Sequence, residues 1–181
     1  MCGIAGLIHR GKSSNVGEEL QHMLQALKHR GPDSTGYALY ADNDGQNFIL
    51  RFKVGENVGE GSTSVNEDES VYNERKKAVD KKLSELGALV VKEEKLTPYS
   101  YRYEIKFDKD LMDFSKAIES IQSVEILSIG KSLELIKDLG DATVVSERYG
   151  LSKVQGTHGI GHARMATESG VDIKSAHPFW G

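Results

Sequence analysis

The chain has 181 residues and a formal net charge of −4, from 23 basic and 27 acidic side chains. This length permits a substantial core in one domain, or in one domain that carries a small insert. The charge is spread without a basic block, so nucleic acid is not an expected partner. One cysteine excludes internal disulfides and is typical of a reducing compartment. No apolar run reaches the roughly 18 residues of a membrane span, and no signal peptide is recognised. A cytoplasmic protein without membrane contact is expected.

The first 47 residues predict a strand, a helix and a second strand. Residues 4–8 are apolar and short, which favours a buried strand. Apolar residues then recur at helical spacing over 20–27, and a Gly-Pro pair ends the predicted helix. A loop dense in turn-forming residues, 30–36, leads to a predicted strand at 37–40.

The middle of the chain predicts a second, separate pattern of elements. After a strand near residue 50 and a Gly-rich and Ser-rich loop, the expected elements are a helix at 68–86, strands at 88–92 and 99–107, a helix at 111–121 and a strand at 124–129. This order, β-α-β-β-α-β, is similar to the ferredoxin fold. The charged run 73–82 is interpreted as a solvated helix face, and 133–148 as a shorter helical stretch that leads out of the insert.

The C-terminal region returns to small and apolar residues. Residues 157–164 predict a central strand whose glycines allow close backbone approach. The chain then ends on Phe179, Trp180 and a glycine, an apolar ending for which we expect no packing partner and which suggests a truncated domain. The expected organisation is therefore a first domain part at 1–47, an insert at 48–150, and a truncated continuation at 151–181.

Cys2 has the properties of an N-terminal nucleophile. Its small side chain predicts removal of Met1, which would leave Cys2 with a thiol and a free α-amine of ordinary pKa about 8. The amine can accept the thiol proton and later donate it to a leaving group. The alternative is that Cys2 is a small core residue, as most free cysteines are.

Three separated stretches resemble the class II glutamine amidotransferases, which are N-terminal-nucleophile hydrolases. They are residues 2–6, 29–36 and 161–167, in the family's order, and the resemblance covers roughly the first 40 and the last 30 residues. It implies an α+β fold, namely a partial αββα sandwich of the N-terminal-nucleophile hydrolase type, with the ferredoxin-like subdomain inserted. The sequence Arg-Met-Ala-Thr-Glu-Ser at 164–169 and the large insert look nearest to stand-alone amidotransferase subunits related to glutamate synthase.

The resemblance also implies roles for individual residues. Cys2 is the catalytic nucleophile that attacks the side-chain amide of glutamine. Arg164 holds the α-carboxylate of glutamine, for which a planar guanidinium is well suited, and Thr167 lies beside the same substrate. Arg30 and Gly31 match a loop that lies over the nucleophile. The alternatives are a surface or salt-bridging role for Arg164 and a helix C-cap for Arg30.

The implied function is a glutaminase that releases glutamate and ammonia, with the ammonia passing to a partner synthase subunit or domain. No cofactor is expected. No metal site is expected either, because His158 and His162, four apart on a strand, are separated by about 13 Å. The family's oxyanion-hole residues lie downstream of residue 181, so the isolated chain is expected to be inactive. The alternative from another class is a non-catalytic regulatory or scaffolding subunit that keeps the glutamine pocket.

Overall fold

A computed structural model of the protein describes residues 2–31, 33–43, 45–55, 68–165 and 176–180. The elements in chain order are β1 (Gly3–Ile8), α1 (Val16–Ala26), β2 (Ser34–Ala41), β3 (Phe48–Lys53), α2 (Glu69–Leu86), β4 (Leu89–Thr97), β5 (Ser100–Lys106), α3 (Leu111–Glu119), β6 (Glu125–Gly130), β7 (Leu133–Leu139), α4 (Ala142–Tyr149) and β8 (Gly156–Arg164). Within these ranges the strands form two four-stranded antiparallel sheets, β1-β8-β2-β7 and β4-β5-β3-β6. The predicted α+β class is confirmed. Of the helices in the described ranges, none has the length and apolar character needed to cross a membrane.

Strand β8 lies in the middle of the first sheet, between β1 and β2, which confirms the predicted central strand. The helix α1 packs against it through Leu20 and Leu24, both fully buried. A Cβ atom on Gly161 would overlap the side chain of Leu24, so the glycine is what allows the helix to approach the strand this closely. The apolar face that predicted α1 is therefore the face that packs on the sheet.

Strand β1 differs from its prediction as a buried strand. It is an edge strand of the first sheet, and its side chains alternate between two faces. Ala5 is buried, whereas Ile4 is 69% exposed and Ile8 is 77% exposed. The prediction is wrong because a short apolar run does not reveal whether both faces of a strand are covered or only one.

The second sheet follows the predicted order β-α-β-β-α-β. Strand β5 lies between β3 and β4, and β3 lies between β5 and β6, so each helix connects two strands that are not neighbours. This is a split β-α-β arrangement. The predicted alternation along β5 is confirmed, because Tyr101, Tyr103 and Ile105 are buried in the core beneath α2 and α3.

The stretch 133–148, predicted to be helical, is a strand followed by a shorter helix. Residues Leu133–Leu139 form β7, which pairs with β2 along its whole length, and only Ala142–Tyr149 form the helix α4. The hydroxyl of Tyr37 on β2 donates to the carbonyl oxygen of Ala142 at 2.7 Å, which anchors α4 to the same sheet. The division at 48–150 stays a prediction, and this pairing leads us to propose that the insert ends before β7.

Buried charges join the two sheets at β7. Glu134 accepts from Nε of Arg51 on β3 at 2.7 Å, and from Nε and Nη2 of Arg102 on β5 at 2.9 Å each. Burial alone would raise the pKa of Glu134, but the two guanidiniums outweigh it and hold that pKa at about 2. The buried Glu134, Lys137 and Asp138 interrupt the apolar alternation that indicates a strand, so the sequence pattern alone does not identify β7.

Asp138 forms a second buried connection four residues further along β7. Its carboxylate is fully buried and accepts from the hydroxyls of Tyr99 and Tyr149, both at 2.7 Å. Nη1 of Arg148 lies 3.2 Å and Nζ of Lys53 lies 3.9 Å from the same carboxylate. With partners from β3, from the turn before β5 and from α4, Asp138 fixes the position of β7 against the second sheet.

Replacing Glu134 by Gln is expected to make the free energy of unfolding less dependent on pH in the acid range. At neutral pH the variant should lose about 3 kcal/mol of unfolding free energy, because two guanidiniums lose their buried counter-charge. The folded-state pKa of Glu134 lies below its ordinary value of 4.5, at about 2, so its stabilisation is complete above pH 4.5 and is lost as the pH falls through 2. The difference between wild type and variant should therefore shrink over that window.

Denaturant unfolding at a series of pH values measures this difference. Glu85→Gln is the matched control, because Glu85 forms surface pairs with Lys81 and Lys82 that contribute little. A wild-type advantage that stays constant from pH 7 to pH 2 would contradict the assigned role of the Glu134 charge.

Candidate active site

The register of the first sheet brings Cys2 and Arg164 to the same end of the sheet. Gly3 on β1 pairs with Ala163 on β8. Cys2 immediately precedes Gly3, and Arg164 immediately follows Ala163, so antiparallel pairing places these two residues side by side. On the other side of β8, Ser34 at the start of β2 pairs directly with Arg164.

Cys2 and Arg164 also lie on the same face of the sheet. Ile4 pairs with His162, and side chains two residues apart on a strand point the same way. Cys2 therefore shares the face of Ile4, and Arg164 shares the face of His162. We name this the outer face, opposite to the face that packs on α1. Cys2 is exposed there, and Arg164 is half-buried.

The loop that follows α1 lies against the end of β8. Arg30 ends a short 3-10 helix, Lys28–Arg30, and Gly31 follows as a buried residue. A Cβ atom at residue 31 would lie 2.5 Å from the carbonyl oxygen of Ala163, and the backbone N–H of Asp33 donates to the carbonyl oxygen of Arg164 at 3.2 Å. The structure thus brings the second sequence stretch into contact with the third, next to Cys2.

Ser34 is a polar residue at this end of the sheet that the sequence reasoning missed. It is fully buried, and its Oγ finds no hydrogen-bond partner among the described residues. Its direct pairing with Arg164 puts both side chains on the outer face. The one sequence signal at Ser34 is weak, because a serine inside a loop rich in turn formers can be a site residue or a turn residue.

The segment 176–180 crosses the outer face beside these residues. A Cβ atom on Gly36 would overlap the carbonyl oxygen of His177, and the rings of His177 and His162 lie 5.1 Å apart. Burial is the main cause that lowers the pKa of His162, and His177 and Arg164 lower it further. A depression of about 280 Å³ lies between Ile4, His162 and this segment. The sequence pattern does not predict the contact between His162 and His177.

The expectation that Phe179 and Trp180 lack packing partners is wrong. Trp180 packs against the core of the second sheet. Phe179 contacts His177 with 4.6 Å between ring centroids, and Nζ of Lys137 lies 5.0 Å from its ring centre. Phe179 nevertheless keeps 57% of its surface exposed.

The remaining candidate residues do not join this group. Thr167 lies outside the described residues, so its predicted place beside the substrate stays a prediction. His158 stacks on Tyr40 with 3.9 Å between ring centroids, at the other end of β8 from Arg164. In the described part of the chain, no three His, Cys, Asp or Glu side chains are grouped so that they could hold a metal ion.

Comparison with known proteins gives one family and several relatives. Residues 1–48 match the glutamine amidotransferase domain family. Over 99% of its length the chain is 35% identical to the "Putative glutamine amidotransferase" of Methanothermobacter thermautotrophicus and 30% identical to the glutamine amidotransferase-like protein GlxB of Rhizobium meliloti. It covers 56% of the first protein and 54% of the second, so it spans about half the length of these relatives. A match of 36% identity over 56 residues, 31% of this chain, reaches 9% of the glutamine–fructose-6-phosphate aminotransferase of Pyrobaculum aerophilum.

Gly31→Ala is expected to lower the free energy of unfolding by about 1–3 kcal/mol, the usual cost of forcing extra volume into a packed site. The backbone at Gly31 is extended, with φ −175°, so crowding against Ala163 is the cause. Gly6→Ala on β1 is the matched control, because its Cβ would meet its nearest atom at 3.5 Å, an ordinary contact. Denaturant unfolding of both variants gives the comparison, and equal stabilities would show that the loop does not depend on this close approach.

Proposed function

We propose that the chain belongs to the glutamine amidotransferase family and hydrolyses the side-chain amide of glutamine at Cys2. The match of residues 1–48 to that domain family and the similarity of the chain to two relatives with that description support the proposal. The observation that carries this proposal is the sheet register, which puts Cys2 and Arg164 side by side on the outer face. A nucleophile next to a carboxylate-binding guanidinium is the arrangement that an amino-acid amide requires.

In the proposed reaction the Cys2 thiolate attacks the amide carbon. With Met1 removed, the α-amine of Cys2 accepts the thiol proton, a new S–C bond forms, and the carbonyl becomes a tetrahedral intermediate. The amine then donates this proton to the amide nitrogen as the C–N bond breaks, which releases ammonia and leaves a thioester. Water cleaves the thioester and frees glutamate. The exposure of the Cys2 side chain supports access for the substrate.

Arg164 is proposed to bind the α-carboxylate of glutamine through two parallel N–H···O bonds. Its half-buried position at the end of β8 supports this role, since partial burial strengthens such a pair relative to one in water. Gly31 and Arg30 are proposed to form the loop that orients Cys2, and Thr167 is proposed to lie beside the substrate. The contact of Gly31 with Ala163 supports the place of that loop.

The finer classification is also a proposal. We propose a class II, N-terminal-nucleophile amidotransferase with a partial αββα sandwich, whose first sheet is the sheet described above. The exposed isoleucines Ile4, Ile8 and Ile160 of that sheet support a further layer on its outer face. The split β-α-β unit supports the ferredoxin-like insert, and the residues 164–169 support the relation to glutamate synthase.

The ammonia is proposed to pass to a synthase subunit or domain, in a cytoplasmic protein that needs no cofactor. This proposal is supported by the relative from Pyrobaculum, whose name describes the transfer of an amino group from glutamine to a second substrate. The isolated 181-residue chain is proposed to be inactive as a glutaminase, because none of the site residues proposed above supplies an oxyanion donor and the loss of one such donor lowers kcat by about 10²–10³-fold.

Cys2→Ser is expected to lower glutamine hydrolysis in the full-length protein by several orders of magnitude, because a serine hydroxyl is a far weaker nucleophile than a thiolate. Ammonia release from glutamine measures the loss. A diazoketone analogue of glutamine should add its mass to Cys2 in the wild type and nowhere in the variant.

The intact mass decides between the catalytic function and the non-catalytic alternative. A protein that retains Met1 has an amide in place of the α-amine, and the base is then lost. Retention of Met1 in the cell, or full hydrolysis by the serine variant, would contradict catalysis by Cys2 and favour a regulatory or scaffolding subunit.

Arg164→Lys is expected to reduce transition-state stabilisation for glutamine hydrolysis, measured from kcat/KM, by about 1.5–3 kcal/mol. This is the contribution of a hydrogen bond to a charged group. Lysine keeps the charge but cannot make the bidentate contact. The ratio kcat/KM should fall for glutamine and change little for a simple amide without an α-carboxylate. Arg10→Lys, at an exposed arginine on the loop after β1, is the matched control. An equal loss for both substrates would show that Arg164 supports the fold instead.

A further inference from the structure

A polar cleft opens between the two sheets, away from the candidate active site. Its volume is about 450 Å³, and its walls come from both sheets and from the segment that precedes β8. Ala41, at the end of β2, belongs to this wall and pairs with Gly156 at the beginning of β8. Arg164 lies at the other end of the same two strands. The cleft is therefore separate from the outer-face group around Cys2.

Arg51, which lines this cleft, has a hydrogen-bond donor without a partner among the described residues. The residue is 4% exposed and lines the cleft. Its Nε donates to Glu134 at 2.7 Å, but its Nη1 is buried and has no acceptor among the described residues. A buried donor without a partner is uncommon and costly, and more so when it carries a charge.

The charges around Arg51 leave a local positive excess. Two guanidiniums, of Arg51 and Arg102, share one buried carboxylate, that of Glu134. Glu94 adds a half-buried carboxylate 3.2 Å from Nη1 of Arg102, but Lys92 pairs with it as well. The nearest carboxylates are therefore already shared by other cations, and Arg51 keeps part of its charge uncompensated.

Two exposed side chains add opposite charges to the lining. Lys153 adds a positive charge, and Asp42 adds a negative one. Both are solvated, so their interaction with a buried group is more strongly screened than that of Arg51. The net charge that a bound group meets is therefore determined by the buried side chains of the cleft, and their net charge is positive.

We propose that this cleft binds a small oxyanion, a carboxylate or phosphate group of a soluble metabolite, through the Nη1 edge of Arg51. A guanidinium presents its remaining N–H groups in one plane, which matches the oxygens of such groups. Lys153 strengthens binding from the exposed side of the cleft. Because Arg51 lies on β3 and its partner Glu134 on β7, a bound anion stabilises the contact between the two sheets. This proposal is independent of the reaction proposed for Cys2.

Calorimetric titration of the purified protein with inorganic phosphate, and separately with succinate, tests the proposal. Ionic strength is held constant with sodium chloride, since screening alone changes the apparent affinity. At least one probe should bind saturably and raise the melting temperature, as any ligand of the folded state does. Phosphate alone would identify a phosphate site, and succinate alone a carboxylate site; both outcomes support the cleft.

Substitutions then locate the binding. Arg51→Met should weaken it roughly tenfold or more, and Lys153→Ala roughly fivefold or less. Lys116→Ala, at an exposed lysine on α3, is the control and should leave the affinity unchanged. If Arg51→Met does not fold, the comparison of Lys153→Ala with Lys116→Ala decides. The proposal is overturned if neither probe binds saturably, or if the cleft variants bind the probe as tightly as the wild type. Either result would mean that water, and not an anion, accepts the hydrogen bond from Arg51.

Discussion

The double pairing of β8 is the constraint on which the candidate site depends. One strand forms antiparallel ladders with β1 on one side and β2 on the other, so residues distant in sequence are placed with the precision of a hydrogen-bonded sheet. A shift of β1 by one residue would move Cys2 to the opposite face and away from Arg164. The packing of α1 on β8 and the contact of Gly31 with Ala163 hold the same register from the other directions.

Buried charge extends this constraint to the second sheet. Strand β7 completes the first sheet beside β2, and its Glu134 and Asp138 are bound by side chains of the second sheet. Such pairs contribute little net stability compared with apolar packing, but removal of one partner is costly. These contacts join the two sheets in the arrangement described. The same geometry leaves Nη1 of Arg51 without an acceptor among the described residues, and the proposed anion site rests on this donor.

Sequence patterns predicted the parts of the fold that repeat a simple period. The helix α1, the alternating strand β5 and the order of the second sheet are of this kind, and the three motif stretches indicated where the site would form. The patterns predicted the burial of β1 wrongly, because Ile4 and Ile8 are exposed. They also did not identify β7 as a strand, because buried charged residues interrupt its apolar alternation. They also missed Ser34 and the contact between His162 and His177, because these depend on strand register and on a segment that returns across the sheet.

We propose that Cys2 and Arg164 belong to one glutamine site. The rate at which iodoacetamide alkylates Cys2, followed by intact mass at increasing glutamine concentration, tests it most directly. Cys2 is the one cysteine of the chain, so a single mass increment reports on a single side chain. We expect glutamine to slow alkylation saturably, and we expect this protection to be weaker when Arg164 is replaced by lysine. An alkylation rate that does not change with glutamine would contradict it.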